Sequence, residues 1–165
     1  MGGRRAMLAF ASALVLTACG GAAAGVDRAR EGEDRPGVAG IYQLQADVHR
    51  SGTSKDLDLL MSRWTEGARL EVAGRTYTGK AEIRRFFATA HPAFKPDNHW
   101  VALTRSPNIR VAAQGDRGTL YFECYFVDAA TKQVAAATSA ETKVVRESGR
   151  WLLEEYLSGS VELAP

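Results

Sequence analysis

Thr119-Leu120-Tyr121-Phe122-Glu123-Cys124-Tyr125-Phe126-Val127 alternates along its whole length. Successive side chains of an extended strand point to opposite faces. Leu120, Phe122, Cys124 and Phe126 therefore share one face, and Tyr121, Glu123 and Tyr125 the other. One face must pack. The Leu/Phe set is the stronger core, which leaves Tyr121, Glu123 and Tyr125 outside. The opposite assignment would turn Glu123 into a pocket.

The period of two continues on both sides. His99 to Thr104, Ile109 to Ala113, Val134 to Arg146 and Trp151 to Leu157 also read as strands. Ser106-Pro107-Asn108, Gly115-Asp116, Ala130-Thr131-Lys132 and Ser148-Gly149 separate them. Connections this short imply antiparallel neighbours.

Upstream the period is helical. Ile41, Leu44 and Val48 predict a first helix from about Val38, with Gly52 as its C-terminal cap. Thr53-x-x-Asp56 approximates a capping box. Leu57, Leu60, Met61 and Trp64 then follow on one face of a second helix. Leu70 and Val72 begin a short strand that turns back at Gly74-Arg75 through Thr76-Tyr77. Thr78 is the expected cap of a third helix, with Ile83, Phe86 and Phe87 on one face. His91-Pro92 ends it, because the residue before a proline avoids the helical region. Helices first and long strands afterwards predict an α+β domain over residues 38–160, three N-terminal helices on a mainly antiparallel sheet, with residues 161–165 as a tail. Leu60, Trp64, Phe86, Phe87 and Trp151 are its expected core.

The N-terminal segment has a different design. Arg4 and Arg5 precede an uncharged apolar run, Ala6 to Val15, and then Leu16-Thr17-Ala18-Cys19. The run is too short for a stable membrane span and suits a secretory h-region. The segment resembles a bacterial lipoprotein signal peptide closed by its lipobox. The arginine pair is also similar to a twin-arginine export signal, though charge alone accounts for it. The lipobox resemblance implies that residues 1–18 are removed, that Cys19 is diacylated, and that the chain hangs from a membrane in the cell envelope, facing the periplasm or the exterior. Residues 19–37 carry no large apolar side chain except Val26. They cannot offset the entropy of ordering and read as a flexible tether. A coil of that length spans roughly 20–25 Å.

Residues 1–18 hold Arg4 and Arg5 and no acid, so their removal brings 21 basic residues to 19, equal to the 19 acidic ones. A neutral chain makes nucleic acid a poor partner. With Cys19 acylated, Cys124 has no disulfide partner and reads as a small buried hydrophobe. No second apolar stretch approaches the length of a membrane span.

The order of elements resembles the NTF2-like superfamily, in particular its SnoaL-like branch. Asp56-Leu57-Asp58-Leu59-Leu60 followed by Trp64 is similar to that family's second helix. Tyr77-Thr78-Gly79-Lys80-Ala81-Glu82-Ile83-Arg84-Arg85-Phe86-Phe87 resembles the stretch that opens its third. Gly115-Asp116 before a long strand and Gly149-Arg150-Trp151-Leu152-Leu153 match later landmarks. The resemblance implies a cone-shaped fold in which a strongly curved sheet wraps the helices around a pocket, and a dimer formed through the sheet. The family holds both enzymes acting on apolar ring compounds and noncatalytic modules, so fold membership leaves function open.

The steroid-isomerase-like members carry a carboxylate late in the first strand. Val72 stands there, and Glu71 points to the opposite face, which argues against that mechanism. Glu141 interrupts a strand of small residues, where many members hold an acid. In an apolar pocket its carboxyl pKa would rise, fitting it as an acid or hydrogen-bond donor. His99 opens the first long strand and is a candidate base, or else a core histidine satisfied by a carbonyl. His99 and Glu141 form the candidate acid–base pair. Trp64, Tyr77, Phe87 and Trp151 are the expected pocket lining. Asp97, His91 and His49 lack metal-ligand spacing, so no metal is expected, and no cofactor fingerprint is present. Two functions remain: a lipid-anchored pocket domain binding a small apolar ligand or a protein partner, or an enzyme (lyase, isomerase or hydrolase) working on a lipophilic substrate by acid–base chemistry.

Overall fold

The computed structural model describes residues 34–162 with the exception of Thr104. The signal segment, Cys19, the tether as far as residue 33 and the last three residues lie outside the described residues.

Helix α1 spans Arg35–Ser54. It begins three residues before the apolar periodicity because its start is set by capping. The Asp34 carboxylate accepts from the Gly37 N–H at 3.0 Å, and Pro36 sits in the first turn, where no N–H is needed. The helix runs through Gly52 and stops at Lys55, which takes a left-handed conformation with φ 58°. The second helix is therefore capped by Asp56 rather than by Thr53 or Ser54; the Asp56 carboxylate accepts from the Leu59 N–H at 2.8 Å. Helix α2 covers only Leu57–Met61. Trp64, expected on its apolar face, instead opens strand β1 (Trp64–Val72), because the Leu153 N–H donates to the Arg63 carbonyl at 2.8 Å and draws the chain into the sheet.

Strand β2 (Arg75–Thr78) folds back on β1. Helix α3 (Lys80–Thr89) follows with Gly79, not Thr78, in the capping position. Gly79 takes φ 82°, and the Glu82 carboxylate accepts from the Thr78 N–H at 2.8 Å. A single 3-10 turn covers Pro92–Phe94. Strands β3 (Trp100–Ala102), β4 (Ile109–Gln114), β5 (Arg117–Asp128), β6 (Val134–Glu147) and β7 (Arg150–Ser160) complete the domain.

The strands form one curved mixed sheet in the order β2-β1-β7-β6-β5-β3, with β4 also pairing with β5. All pairings are antiparallel except β1 with β7, which is parallel. Nearly the whole domain separates those two strands, so no tight turn constrains their direction. β3 and β4 are not neighbours of each other: both pair antiparallel with β5, one after the other along the same edge.

The core lies on the helix-covered face. Leu120, Phe122, Cys124 and Phe126 are buried, as are Ile41 and Leu44 from α1, Leu60 and Met61 from α2, and Ile83 and Phe87 from α3. Leu60, Trp64, Phe87 and Trp151 are all buried, and Phe86 packs half-buried beside them. Asp47 is a charged member of this interior. Its carboxylate takes the Arg63 guanidinium at 2.8 Å and that of Arg50 at 2.7 Å, which ties α1 to the α2–β1 junction. None of the helices in the described residues is long and apolar enough to cross a membrane.

Candidate functional site

The two faces of the sheet each carry a hollow. The inner one lies between sheet and helices and is small, about 40 Å³. Its wall is aromatic. Phe87 stands 6.3 Å from the Trp64 ring and 5.1 Å from that of His91. Phe94 and Phe126 approach His91 from two further sides, at 5.8 and 6.0 Å. Tyr156 lies 5.6 Å from Trp64.

Among these rings are a few polar atoms in different states. His49 is buried on α1, and its Nδ1 lies 2.9 Å from the Leu103 carbonyl. A carbonyl only accepts, so Nδ1 carries the proton and Nε2 is free to accept from the Gln45 amide at 3.1 Å. His49 is thus satisfied on both sides. Burial lowers its pKa, and the Leu103 bond offsets part of that. His91 differs: its Nδ1 is buried without a partner, and so is the indole Nε1 of Trp64. Burial pushes the His91 pKa down to about 4, so the ring is neutral near pH 7. Burial also pushes the Cys124 thiol up to about 12, which leaves it a protonated packing group. The Tyr156 phenol is likewise raised by burial.

The outer hollow is larger, about 500 Å³, and open. It rests on the solvent face of β4, β5, β6, β7 and β1. Charges line its rim, mostly in pairs: Arg69 with Glu71 at 2.9 Å and Lys143 with Glu155 at 2.8 Å. The Arg110 guanidinium lies over the Tyr121 ring at 3.8 Å. Beside the hollow, Glu123 accepts from Asn108 Nδ2 and the Tyr121 hydroxyl at 3.0 Å and from the Tyr125 hydroxyl at 3.1 Å. The Asn108 bond leads the causes that hold its carboxyl below the ordinary value.

These positions sort the residues expected from sequence. Trp64 and Phe87 line the inner cavity. Tyr77 does not; it packs on Phe86 at 4.8 Å, outside the cavity wall. Trp151 does not either. It is buried against α1 at Gly40, where a Cβ would collide with the indole Cδ1. Glu141 is exposed on the outer face, opposite Tyr121 and Leu157, because Ala140 and Thr142 take the inward positions of β6. His99 is exposed just before β3, in a shallow depression shared with Asp97 and Asp128. The expected pair is not brought together. Trp100 pairs with Asp128 and Glu141 with Tyr121, seven positions apart along β5, or on the order of 20 Å. Glu123 faces outward, as the stronger-core assignment requires.

The two histidines that do reach the cavity, His49 and His91, are not among the expected site residues. His49 was legible: it falls eight residues after Ile41 and four after Gln45, on the buried stripe of α1. His91 follows α3 in a loop, and no periodicity marks its direction. Among the described residues, no three metal-ligating side chains converge.

A mixed sheet with three helices on one face and an aromatic cavity between them defines a class of small α+β pocket domain. The chain belongs to the SnoaL-like domain family, whose model matches residues 36–156. No curated protein matches it. Among solved structures, an NTF2-like protein of unknown function from Pseudomonas putida KT2440 superposes with a TM-score of 0.69 at 12% identity, over 81% of this chain and 100% of that one. An NTF2-like protein with a cystatin-like fold from Novosphingobium aromaticivorans gives a TM-score of 0.65 at 20% identity, over 84% and 89%. A protein from Streptomyces avermitilis, provisionally named a dehydratase of the NTF2-like family, gives 0.61 at 14% identity, over 76% and 96%. Identities this low speak for a shared fold.

Proposed function

We propose that this chain is a lipid-anchored envelope domain that binds a small, largely apolar molecule in the inner cavity. One observation carries the reading. Trp64 Nε1 and His91 Nδ1 are buried without partners on an aromatic wall. Buried polar atoms are normally paired, and leaving one unpaired costs about 1–3 kcal/mol. A ligand with an oxygen on a flat apolar body meets both needs: its oxygen accepts from the indole N–H, and a hydroxyl donates to the neutral imidazole. The cavity holds about 40 Å³, well below the roughly 300–1,000 Å³ of an open ligand site, so this reading needs it to widen. Binding requires the rings around His91 to part. Native mass spectrometry of the full chain tests this. A stoichiometric small molecule lost on His91→Phe supports it; a ligand retained equally by His91→Phe and Trp64→Phe places the site elsewhere.

The anchor rests on Leu16-Thr17-Ala18-Cys19. Cys19→Ser is expected to abolish fatty-acid incorporation and leave an uncleaved precursor. Continued acylation of that variant would refute the anchor without touching the cavity reading.

A second reading, a SnoaL-like enzyme, is favoured by the presence of two imidazoles, His49 and His91, on one cavity wall. There His91 would take a proton, and the ring of His49, held by Leu103 and Gln45, would form part of the wall the substrate packs on. Product formed from a bound lipophilic substrate, and lost in His91→Phe, would replace the binding reading.

A further inference from the structure

The elements around the inner cavity are held to different degrees. The strands of its wall, β1, β3, β5, β6 and β7, lie in one hydrogen-bonded sheet. Helix α1 is fastened to the β3 edge by side chains: the Thr53 hydroxyl accepts from the Ala102 N–H at 3.0 Å, and His49 Nδ1 donates to the Leu103 carbonyl at 2.9 Å. Residues 91–98 differ. They supply two rings of the wall, His91 and Phe94, yet contain no strand and only a single 3-10 turn. Among the described residues, one hydrogen bond ties residues 92–97 to an element elsewhere in the chain: Lys55 Nζ donates to the Ala93 carbonyl at 2.9 Å. Apart from that bond the stretch is held by packing. Phe94 stands 5.5 Å from Phe87, and Ala93 and Phe94 are both buried.

Both ends of the stretch are anchored. The Ala90 and His91 N–H groups donate to the Phe86 carbonyl at 2.8 and 3.2 Å, and the Ala129 N–H donates to the His99 carbonyl at 3.0 Å. Between the anchors, Pro92 and Pro96 fix φ, and the Phe94, Lys95 and Asn98 N–H groups bond to carbonyls of the stretch itself. It therefore holds its shape as a unit. Lys55 takes a left-handed conformation, φ 58°, at a position that helix ends ordinarily give to glycine. Glycine would end α1 with less strain, but it would leave the Ala93 carbonyl without the ammonium. We propose that residues 91–98 are a lid over the inner cavity, hinged at the two anchored ends and latched by Lys55. The inference rests on the reading that the cavity takes a ligand, and it names the part that moves to admit one. Opening exposes Phe94, breaks the Lys55 bond and leaves the sheet and α1 in place. It draws the His91 and Phe94 rings off Phe87 and lets solvent reach the Trp64 indole.

That indole reports the motion. Its N–H is buried without a partner, so it exchanges with deuterated water only when solvent enters the cavity. The test is hydrogen exchange by NMR on the full chain with no ligand added, each rate taken relative to its free value. In the wild type the Trp64 indole should exchange about tenfold or more faster than the amides of Phe122 and Ala140, paired in the middle of the sheet, which wait for global unfolding. Lys55→Met keeps the length of the side chain and removes the donor. The latch is missing from the open and the unfolded state alike, so indole and sheet amides should both speed up, by about five- to tenfold. Unchanged circular dichroism verifies the fold of the variant. An indole that exchanges no faster than the sheet overturns the lid. So does an indole rate unchanged in Lys55→Met, because the bond then survives the opening or holds nothing. A second arm separates the lid from the binding reading. Mixed with β-naphthol, a flat apolar body with one hydroxyl, Lys55→Met should associate faster than the wild type by about the same factor. Binding at equal rates overturns the lid as the route of entry. Failure of β-naphthol to bind either protein, with the exchange results as expected, counts against the binding reading and leaves the lid standing.

Discussion

The inner and outer faces of the same five strands obey opposite rules. On the inner face of β5, Leu120, Phe122, Cys124 and Phe126 are buried, and the neighbouring polar atoms are few. On its outer face, Tyr121, Glu123 and Tyr125 exchange hydrogen bonds, and charges meet in rows. Desolvation dominates inside: it lowers His91 and raises Cys124. Hydrogen bonding leads for the outer carboxylates: it lowers Glu123 and, through Lys143, Glu155. The same alternation that builds the sheet therefore gives one domain two separate chemical environments, a neutral one inside and a charged one outside.

The largest effect expected from this contrast is on stability. Trp64 is 1% exposed, and Trp64→Ala should cost roughly 3–5 kcal/mol in denaturant unfolding. Tyr121→Ala, on the other face of the sheet, should cost far less. Equal losses at the two sites would mean that the outer face is also covered in solution.

Acid comes next. The folded His91 pKa of about 4 lies below the ordinary value of 6.5, so the unfolded chain binds the proton first. Stability from this group is complete above pH 6.5, falls as pH drops towards 4, and changes no further below that. The full loss is on the order of 3 kcal/mol, at 1.36 kcal/mol per pKa unit. His49, also lowered by burial, acts in the same direction. The outer carboxylates Glu123 and Glu155 have folded pKa values below the ordinary one, so their contribution is present above about pH 4.5 and is lost below it. A stability–pH profile thus reads the inner face before the outer. His91→Phe should flatten the upper part and leave the lower part intact; an unchanged slope between pH 6.5 and 4 would contradict the buried neutral ring.

The strands of this comparison were legible in the sequence because a period of two identifies both element and face. β4 to β7 came out within three residues at every end, and the inward set of β5 was assigned by side-chain size alone. Helix ends were less legible. Asp34 and Pro36 start α1 by capping, within a stretch whose composition otherwise reads as tether. Trp64 fits the helical spacing of Leu57, Leu60 and Met61, and only the Leu153 hydrogen bond from the far end of the chain makes it a strand. The candidate site was the least legible part. A histidine in a loop, such as His91, has no periodic neighbour to reveal its direction. The small residues around Glu141 suggest a pocket, but they leave a carboxylate on the solvent face as readily as they enclose one.

Glu141 therefore gives the smallest expected effect on stability and the sharpest check on the division between faces. An acid enclosed in an apolar pocket is costly to keep, so replacing it with leucine would stabilise the empty domain. On the outer face there is no desolvation to relieve. Glu141→Gln and Glu141→Leu should both leave the unfolding midpoint where it is, as surface substitutions usually do. Leucine at this position would, however, join Leu157 and enlarge the exposed apolar patch, and patches of that kind promote association. Sedimentation should then show concentration-dependent self-association for Glu141→Leu and none beyond the wild type for Glu141→Gln. A clear rise in midpoint for Glu141→Leu, independent of protein concentration, would mean that residue 141 is desolvated within a single domain and that the two faces are less different than their side chains imply.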